Sequence, residues 1–191
     1  MTGHSVDRRS ALVWFGACTA IGAGIDLWTK QIAVDHLASL PTGAKWVVEP
    51  WLEWSLSYNR GTAFSIIRDL GSARWFFGVM ALAVVAMLIW MVVRGTGDKL
   101  EAVALGFLAG GAIGNGVDRV FRVLADGGTG VVDFIKVNYP WGGSWPTFNI
   151  ADALLVVGVA TLFLTWRRST PPAPDEVPSG EVPPPGEVPG V

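Results

Sequence analysis

The chain contains one cysteine, Cys18, and only two histidines, His4 and His36, among its 191 residues. A single cysteine excludes an internal disulfide and any cysteine-rich metal site. The two histidines lie far apart in the sequence, which argues against a zinc site built on histidine. The net charge of −2 is nearly neutral and lacks the basic excess that is typical of nucleic-acid-binding proteins. We therefore expect no metal site and no nucleic-acid partner.

Charged residues are also missing from long stretches of the chain. About 20 helical residues span the roughly 30 Å hydrocarbon core of a bilayer, and Trp75–Val93 contains no charged residue at all. Three other apolar runs carry isolated polar residues, which is typical of a bundle with a polar interior. These runs are Ala11–Val34, Leu100–Val117 and Phe148–Trp166. We predict a mainly α, polytopic membrane protein with four transmembrane helices.

Basic residues lie close to those ends of the apolar runs that are predicted to share one side of the membrane. They are Arg8, Arg9, Arg94, Lys99, Arg167 and Arg168. Because cytoplasmic connections carry an excess of lysine and arginine, this pattern places both termini in the cytoplasm. The two long connections hold basic residues as well, so the orientation depends on the bases that directly flank the helix ends.

The connection after the first run, about residues 35–74, contains the pattern of a β-strand. Apolar residues alternate with polar ones here, which is typical of a strand with one buried face; the apolar set is Leu52, Trp54, Leu56 and Tyr58. We predict a small sheet, a cradle at about residues 44–66 on the outer membrane surface, and a short interfacial helix at Arg68–Arg74. Five tryptophans are predicted to anchor at the interface, namely Trp46, Trp51, Trp54, Trp141 and Trp145.

Small residues and prolines mark two further segments. Gly106, Gly110 and Gly114 follow one another at the four-residue spacing that lets membrane helices approach closely. From residue 169 onward the chain is rich in proline, cannot bury a core and is predicted to be disordered. We therefore divide the chain into a membrane domain, residues 1–168, and a cytoplasmic tail, residues 169–191.

Two aspartates, Asp133 and Asp152, lie at the edges of apolar segments. An ionisable group at membrane depth is costly unless it is paired or wetted, so a functional role is the first hypothesis. Asp152 falls in the first turn of the fourth predicted helix, where the helix dipole favours its ionised form. Asp133 follows Val131 and Val132, and desolvation there favours its protonated form. Opposed environments are typical of an acid/base pair, and peptide hydrolysis is the chemistry that this pair best supports.

The sequence allows two interpretations of the pair Asp26 and Lys30, and two of Asn149. Asp26 and Lys30 are four residues apart on one helix face; they form an ion pair that stabilises the bundle, or Lys30 supports the site from behind. Asn149 comes three residues before Asp152. It caps the fourth helix or orients a carboxylate.

The block from Asn59 to Phe64 ends the predicted strand. Asn and Gly at this spacing are typical of a turn. Alternatively, the amides of Asn59 and Gly61 bind an extended peptide or a developing oxyanion. The sequence alone leaves both interpretations open.

The block from Gly114 to Arg119 closes the third predicted helix. Asn115 and Arg119 share a face of this helix, and Asp118 can reach Arg122. These residues either cap and pair at the helix end or form a polar rim that binds a substrate. Spacing alone does not choose between the two.

Taken in order, these blocks resemble the bacterial lipoprotein signal peptidases (signal peptidase II) over about residues 11–168. Each block is weak alone, but five in order on a four-helix frame are highly specific. The matching blocks are Asp26 with Lys30, Asn59–Phe64, Gly110–Arg119, Val132–Phe134 and Phe148–Asp152.

The resemblance implies an aspartic endopeptidase of the bacterial inner membrane that needs no cofactor and has its active site near the extracytoplasmic face. Its substrates would be prolipoproteins that carry a diacylglyceryl group on a cysteine, cut just before that cysteine; its other partners would be membrane lipids, and the chain would be a monomer. Asp133 and Asp152 would be the catalytic pair. The residues around the substrate would be Asn59, Gly61, Asn115, Arg119 and Asn149, and the structural support would be Asp26, Lys30 and Asp118.

Two alternatives belong to other classes of protein. A small proton- or ion-coupled transporter would use Asp26, Lys30, Asp118 and Asp152 as a path. A non-catalytic scaffold would pack through the glycines of the third helix. A transporter should hold its acids near the middle of the membrane, whereas Asp133 and Asp152 are predicted near one surface.

Overall fold

The computed structural model describes residues 6–61 and 73–169. Its helices are α1 (Arg8–Leu37), α2 (Ala73–Arg94), α3 (Lys99–Phe121) and α4 (Ile150–Ser169), and its strands are β1 (Ala44–Val48), β2 (Leu52–Asn59) and β3 (Val131–Val137). All four helices are long and apolar enough to cross a membrane. The predicted four-helix membrane protein with a small sheet is confirmed.

Some predicted segments lie outside the described residues. The predicted interfacial helix at Arg68–Arg74 falls on residues 62–72 except for its last two positions, which belong to α2. The end of the predicted cradle and the proline-rich tail from residue 170 also lie outside them. The predicted disorder of the tail therefore stays a prediction.

Helix α3 is the central element and packs against each of the other three helices. Its glycines make this close approach possible. A methyl group on Gly106 would lie 2.7 Å from the Cβ atom of Cys18 on α1, and one on Gly111 would lie 2.7 Å from the carbonyl oxygen of Ala151 on α4. These contacts confirm that α3 packs through its small residues.

The start of α3 is fixed by a reciprocal cap. The Asp98 carboxylate accepts a hydrogen bond of 2.8 Å from the Glu101 N–H, and the Glu101 carboxylate accepts one of 2.6 Å from the Gly97 N–H. The first bond satisfies one of the backbone donors that every helix start leaves without a partner inside the helix, and the second ties down the residue before the cap. The short connection from α2 therefore turns sharply into α3.

The three strands form an antiparallel sheet in the order β1-β2-β3. The predicted strand is confirmed as β2, but its alternation breaks between Trp54 and Ser57, where a β-bulge shifts the pairing with β3. Beyond the bulge, Ser57 pairs with Asp133. Tyr58 is 39% exposed, so it departs from the buried set to which the pattern assigned it.

The sheet is attached to the end of the bundle through a cluster of apolar side chains. Leu37 of α1 is buried together with Val132 and Phe134 of β3. Trp54 packs edge-on against Phe134, with ring centroids 6.2 Å apart. Trp54 is therefore half-buried against this cluster, whereas Trp141 is 81% exposed. The predicted anchoring of both tryptophans at the membrane interface stays a prediction.

We expect Gly106→Ala to lower the free energy of unfolding by about 1–3 kcal/mol, the usual cost of overpacking. The added methyl group would meet the carbonyl oxygen of Phe15 at 2.8 Å, and backbone cannot turn aside as a side chain can. Gly16→Ala is the matched control, because nothing lies within 4 Å of its added methyl group. Unfolding of both variants in detergent measures the difference. Equal stabilities would contradict close packing as the reason for glycine at position 106.

Candidate active site

The two aspartates meet at the end of the bundle that carries the sheet. Asp133 lies on β3, and Asp152 lies in the first turn of α4, as the sequence predicted. The Asp133 side chain is buried, with 4% of its surface exposed. Both carboxylates therefore lie where strand, helix start and bundle come together.

Asn149 holds both carboxylates. Its side-chain amide donates to Asp133 Oδ1 at 2.7 Å, and its backbone N–H donates to Asp152 Oδ2 at 3.1 Å. In return, Asn149 Oδ1 accepts a hydrogen bond of 3.0 Å from the Asp152 N–H. Asn149 therefore fulfils both interpretations of the sequence at once, since it caps α4 reciprocally and orients a carboxylate.

Asn115 of α3 completes the contacts of Asp152. Its amide nitrogen donates to Asp152 Oδ1 at 2.9 Å. Its carbonyl oxygen accepts from Lys30 Nζ at 2.8 Å and from the Asn149 amide at 3.1 Å. Both carboxylate oxygens of Asp152 thus receive N–H donors.

A buried ionic cluster lies beneath the aspartates. Lys30 Nζ is 2.7 Å from Asp26 Oδ2 and 3.4 Å from Asp118 Oδ2, and all three side chains are at most 2% exposed. The other oxygen of Asp118 accepts from Arg122 Nε at 2.7 Å. The predicted pairs of Asp26 with Lys30 and of Asp118 with Arg122 are both confirmed.

The same cluster fixes backbone next to each aspartate. Asp26 Oδ1 accepts a hydrogen bond of 2.8 Å from the N–H of Ala151, the neighbour of Asp152. Asp118 Oδ2 accepts one of 3.1 Å from the N–H of Val132, the neighbour of Asp133. The buried carboxylates of Asp26 and Asp118 therefore bind both the Lys30 ammonium and the backbone beside the two aspartates.

Burial and a neighbouring charge disfavour ionisation of Asp133. Desolvation is the larger cause and the negative charge of Asp152 the second, and together they raise the pKa of Asp133 to about 6. Hydrogen bonds from Asn149 and Asn59 and the positive charge of Lys30 oppose this rise. Asp133 therefore retains its proton to higher pH than an ordinary aspartate.

Arg119 lies on the other side of the pair and holds the end of β2. Its guanidinium donates to the carbonyl oxygen of Asn59 at 2.9 Å and stacks over Phe77 at 4.8 Å. The Gly61 N–H donates to Asn59 Oδ1 at 2.9 Å, and Gly61 has a φ of 76°. The Gly61 N–H therefore already has a partner inside the chain, while residues 62–64 of this block lie outside the described residues.

A cleft of about 320 Å³ opens beside Asp133, and its lining includes residues that the sequence analysis missed. They are Ser57, Tyr58, Arg60, Pro146 and Thr147. Period-two spacing from Asn59 indicates Ser57, but the bulge in β2 and the pairing of β2 with β3 have no sequence signal. Within residues 6–61 and 73–169, no three His, Cys, Asp or Glu side chains are grouped as a metal site requires.

Comparison with known proteins agrees with this architecture. Residues 18–167 match the family described as signal peptidase (SPase) II. A lipoprotein signal peptidase of Methylorubrum extorquens is 36% identical over 87% of this chain and 90% of that protein, and one of Polynucleobacter necessarius is 42% identical over 66% and 74%. A bacterial membrane enzyme solved by the in meso method at 1.9 Å resolution shares the fold, with a TM-score of 0.67 and 24% identity over 89% of this chain and all of that one. The chain therefore belongs to the signal peptidase II family of membrane proteases.

Proposed function

We propose that this protein is an aspartic endopeptidase that removes signal peptides from diacylglyceryl-modified prolipoproteins by cutting just before the lipidated cysteine. The contact of one buried asparagine, Asn149, with both Asp133 and Asp152 carries the proposal. It holds two carboxylates in different environments beside a cleft, which is the arrangement that acid/base hydrolysis needs. Relatives named lipoprotein signal peptidase support the substrate class.

The two aspartates would divide the chemistry between them. Ionised Asp152 takes a proton from a water molecule as the water oxygen attacks the scissile carbonyl carbon. Protonated Asp133 gives its proton to the carbonyl oxygen, so a neutral tetrahedral intermediate forms. Asp152 then passes its proton to the leaving nitrogen, the C–N bond breaks, and Asp133 recovers a proton from a hydroxyl group of the intermediate.

Polar groups around the pair would hold the peptide. Arg119 and Asn59 are hydrogen-bonded to each other and form one wall, and Gly61 lies in the turn that follows. Asn115 and Asn149 would lie closest to the scissile bond because both already contact Asp152. The acyl chains of the lipid would lie between the helices and keep the cleavage site at the interface.

The distribution of basic residues supports the orientation. Arg8, Arg94, Lys99 and Arg167 lie at the helix ends opposite the sheet, which favours a cytoplasmic position for these ends and for both termini. The active site would then face the extracytoplasmic side of the bacterial inner membrane. The membrane domain, residues 1–168, would hold the whole site as a monomer, and residues 169–191 would form a cytoplasmic tail.

Two observations disfavour the transporter and scaffold alternatives. Asp133 lies on a strand beyond the helices and Asp152 in the first turn of α4, so neither acid is near mid-membrane. A scaffold gives no reason to bury Asp133 beside a second carboxylate.

Asp133→Asn and Asp152→Asn should each lower the rate of cleavage of a lipid-modified precursor by at least about a hundred-fold, because general acid/base catalysis contributes about that much or more. Asp133→Asn keeps an oxygen acceptor for the Asn149 amide, and Asp152→Asn keeps one of its two acceptors. The folded protein should remain in the membrane in both cases. The control is Asp35→Asn, which changes an exposed carboxylate on α1. Purified variants and a precursor with and without its diacylglyceryl group give the measurement. Wild-type rates in either variant would exclude the carboxylate pair.

The pH profile should report the proton on Asp133. With a pKa of about 6, Asp133 loses its proton as pH rises through that value, so kcat/KM of the free enzyme should fall on the alkaline side. In Asp152→Asn the repelling charge is absent, and the pKa of Asp133 should fall. Carbon-13 NMR of labelled aspartate measures the second effect. An unchanged pKa of Asp133 would show that the two groups do not interact.

Arg119→Ala should raise KM about ten-fold or more, since a hydrogen bond to a charged group contributes about 1.5–3 kcal/mol. The change in kcat should be smaller, because Arg119 contacts the wall of the cleft and not the reacting pair directly. Arg167→Ala at the opposite end of the bundle is the control. Steady-state kinetics on the lipidated precursor decide the matter, and an unchanged KM for Arg119→Ala would exclude a substrate-binding role.

A further inference from the structure

The ammonium group of Lys30 is wholly buried and contacts three oxygen acceptors. These are Asp26 Oδ2 at 2.7 Å, Asn115 Oδ1 at 2.8 Å and Asp118 Oδ2 at 3.4 Å. A lysine that only paired with Asp26 would need one of these contacts. The contacts with Asn115 and Asp118 join α1 to α3 beside the active site.

The contact with Asn115 decides which way its amide group faces. An amide has one oxygen acceptor and one nitrogen donor group, and here both Lys30 and Asn149 donate to the oxygen. The nitrogen must then face Asp152, to which it donates at 2.9 Å. Lys30 is thus two hydrogen bonds from the Asp152 carboxylate, and its side chain has no exposed surface.

Charge balance gives Lys30 a second effect on the same pair. In the described part of the chain, the site and the cluster beneath it contain three cations, Lys30, Arg119 and Arg122, and four carboxylates, Asp26, Asp118, Asp133 and Asp152. Uncompensated charge is costly in a buried site. The cluster is neutral when these four carboxylates hold one proton between them, which is the state that acid/base hydrolysis requires.

We propose that Lys30 is a positioning residue for the reaction: its charge sets the Asp133–Asp152 pair to hold one proton, and its hydrogen bond aims Asn115 at Asp152. This inference rests on the proposed function and deepens it. The groups that face Lys30 and the pair are Asp26 of α1, Asn115, Asp118 and Arg119 of α3, Asn149 and Asp152 at the start of α4, and Asp133 of β3.

The electrostatics of Asp133 support this role independently of the hydrogen bonds. The positive charge of Lys30 lowers the pKa of Asp133, against the rise that burial and Asp152 cause. Without that charge, Asp133 would hold its proton to higher pH.

The test is Lys30→Met, which removes the charge and keeps most of the length of the side chain. The alkaline limb of the pH profile of kcat for lipidated precursor should move to higher pH by about half a unit, because the positive charge that lowers the pKa of Asp133 is absent. KM should change little, because Lys30 does not contact the cleft. A merely structural role would lower the amount of folded enzyme and leave the midpoints of the profile unchanged.

A double variant separates charge from packing. Asp26→Asn combined with Lys30→Met removes one negative and one positive charge and restores the balance, so its pH profile should return toward that of the wild type. Lys136→Met is the control, because it removes a half-exposed lysine that pairs with Glu53 on the sheet, three residues after Asp133. Its profile should match the wild type.

Infrared spectroscopy of carboxylic acid groups keeps the test decisive if Lys30→Met does not fold. The wild-type protein near pH 5 to 6 should show one protonated carboxyl band in this cluster, lost in Asp133→Asn, and the folded double variant should show the same band. Zero or two such bands in the wild type, or unchanged midpoints in folded Lys30→Met, would overturn the inference.

If Asp133→Asn also cleaved at the wild-type rate, the proposed function itself would fail. If only the Lys30 results were negative, the proposed function would stand.

Discussion

The buried ammonium of Lys30 is the interaction on which the rest of the structure depends. It brings the Asp26 carboxylate of α1 and the Asp118 carboxylate of α3 to one point. Those two carboxylates also accept hydrogen bonds from the backbone of α4 and of β3. Removing one charge from such a cluster leaves the other charges unpaired in a protein interior that cannot solvate them. Four elements of the fold, α1, α3, α4 and β3, are therefore held together by this one buried ionic cluster.

Much of the fold could be predicted because the membrane imposes simple rules on sequence. A run such as Trp75–Val93 has no stable alternative to a spanning helix, since backbone polar groups in lipid must be satisfied internally. Glycines spaced by four indicated the packing face of α3, and contacts of Gly106 and Gly111 confirm it. The bulge in β2 had no such signal, because it arises from pairing with a strand more than 70 residues away.

The residues of the candidate site could be predicted from the sequence, but the hydrogen bonds between them could not. Asp133 and Asp152 stood out because acids are costly beside apolar segments, and local spacing was enough to pair Asp26 with Lys30. That Lys30 also reaches Asn115, and that Asn149 serves both carboxylates, depends on the crossing of three helices. Tertiary contacts of this kind leave no periodicity in the sequence. The cleft residues Pro146 and Thr147 were missed for the same reason.

The reciprocal cap of α4 makes one carboxylate serve two purposes. Asp152 closes the first turn of its own helix by accepting the Asn149 N–H, and it is also a member of the candidate catalytic pair. The first turn of α4 must therefore form before Asp133 and Asp152 can be held together. A nascent chain whose final helix has not yet formed would therefore lack the complete pair.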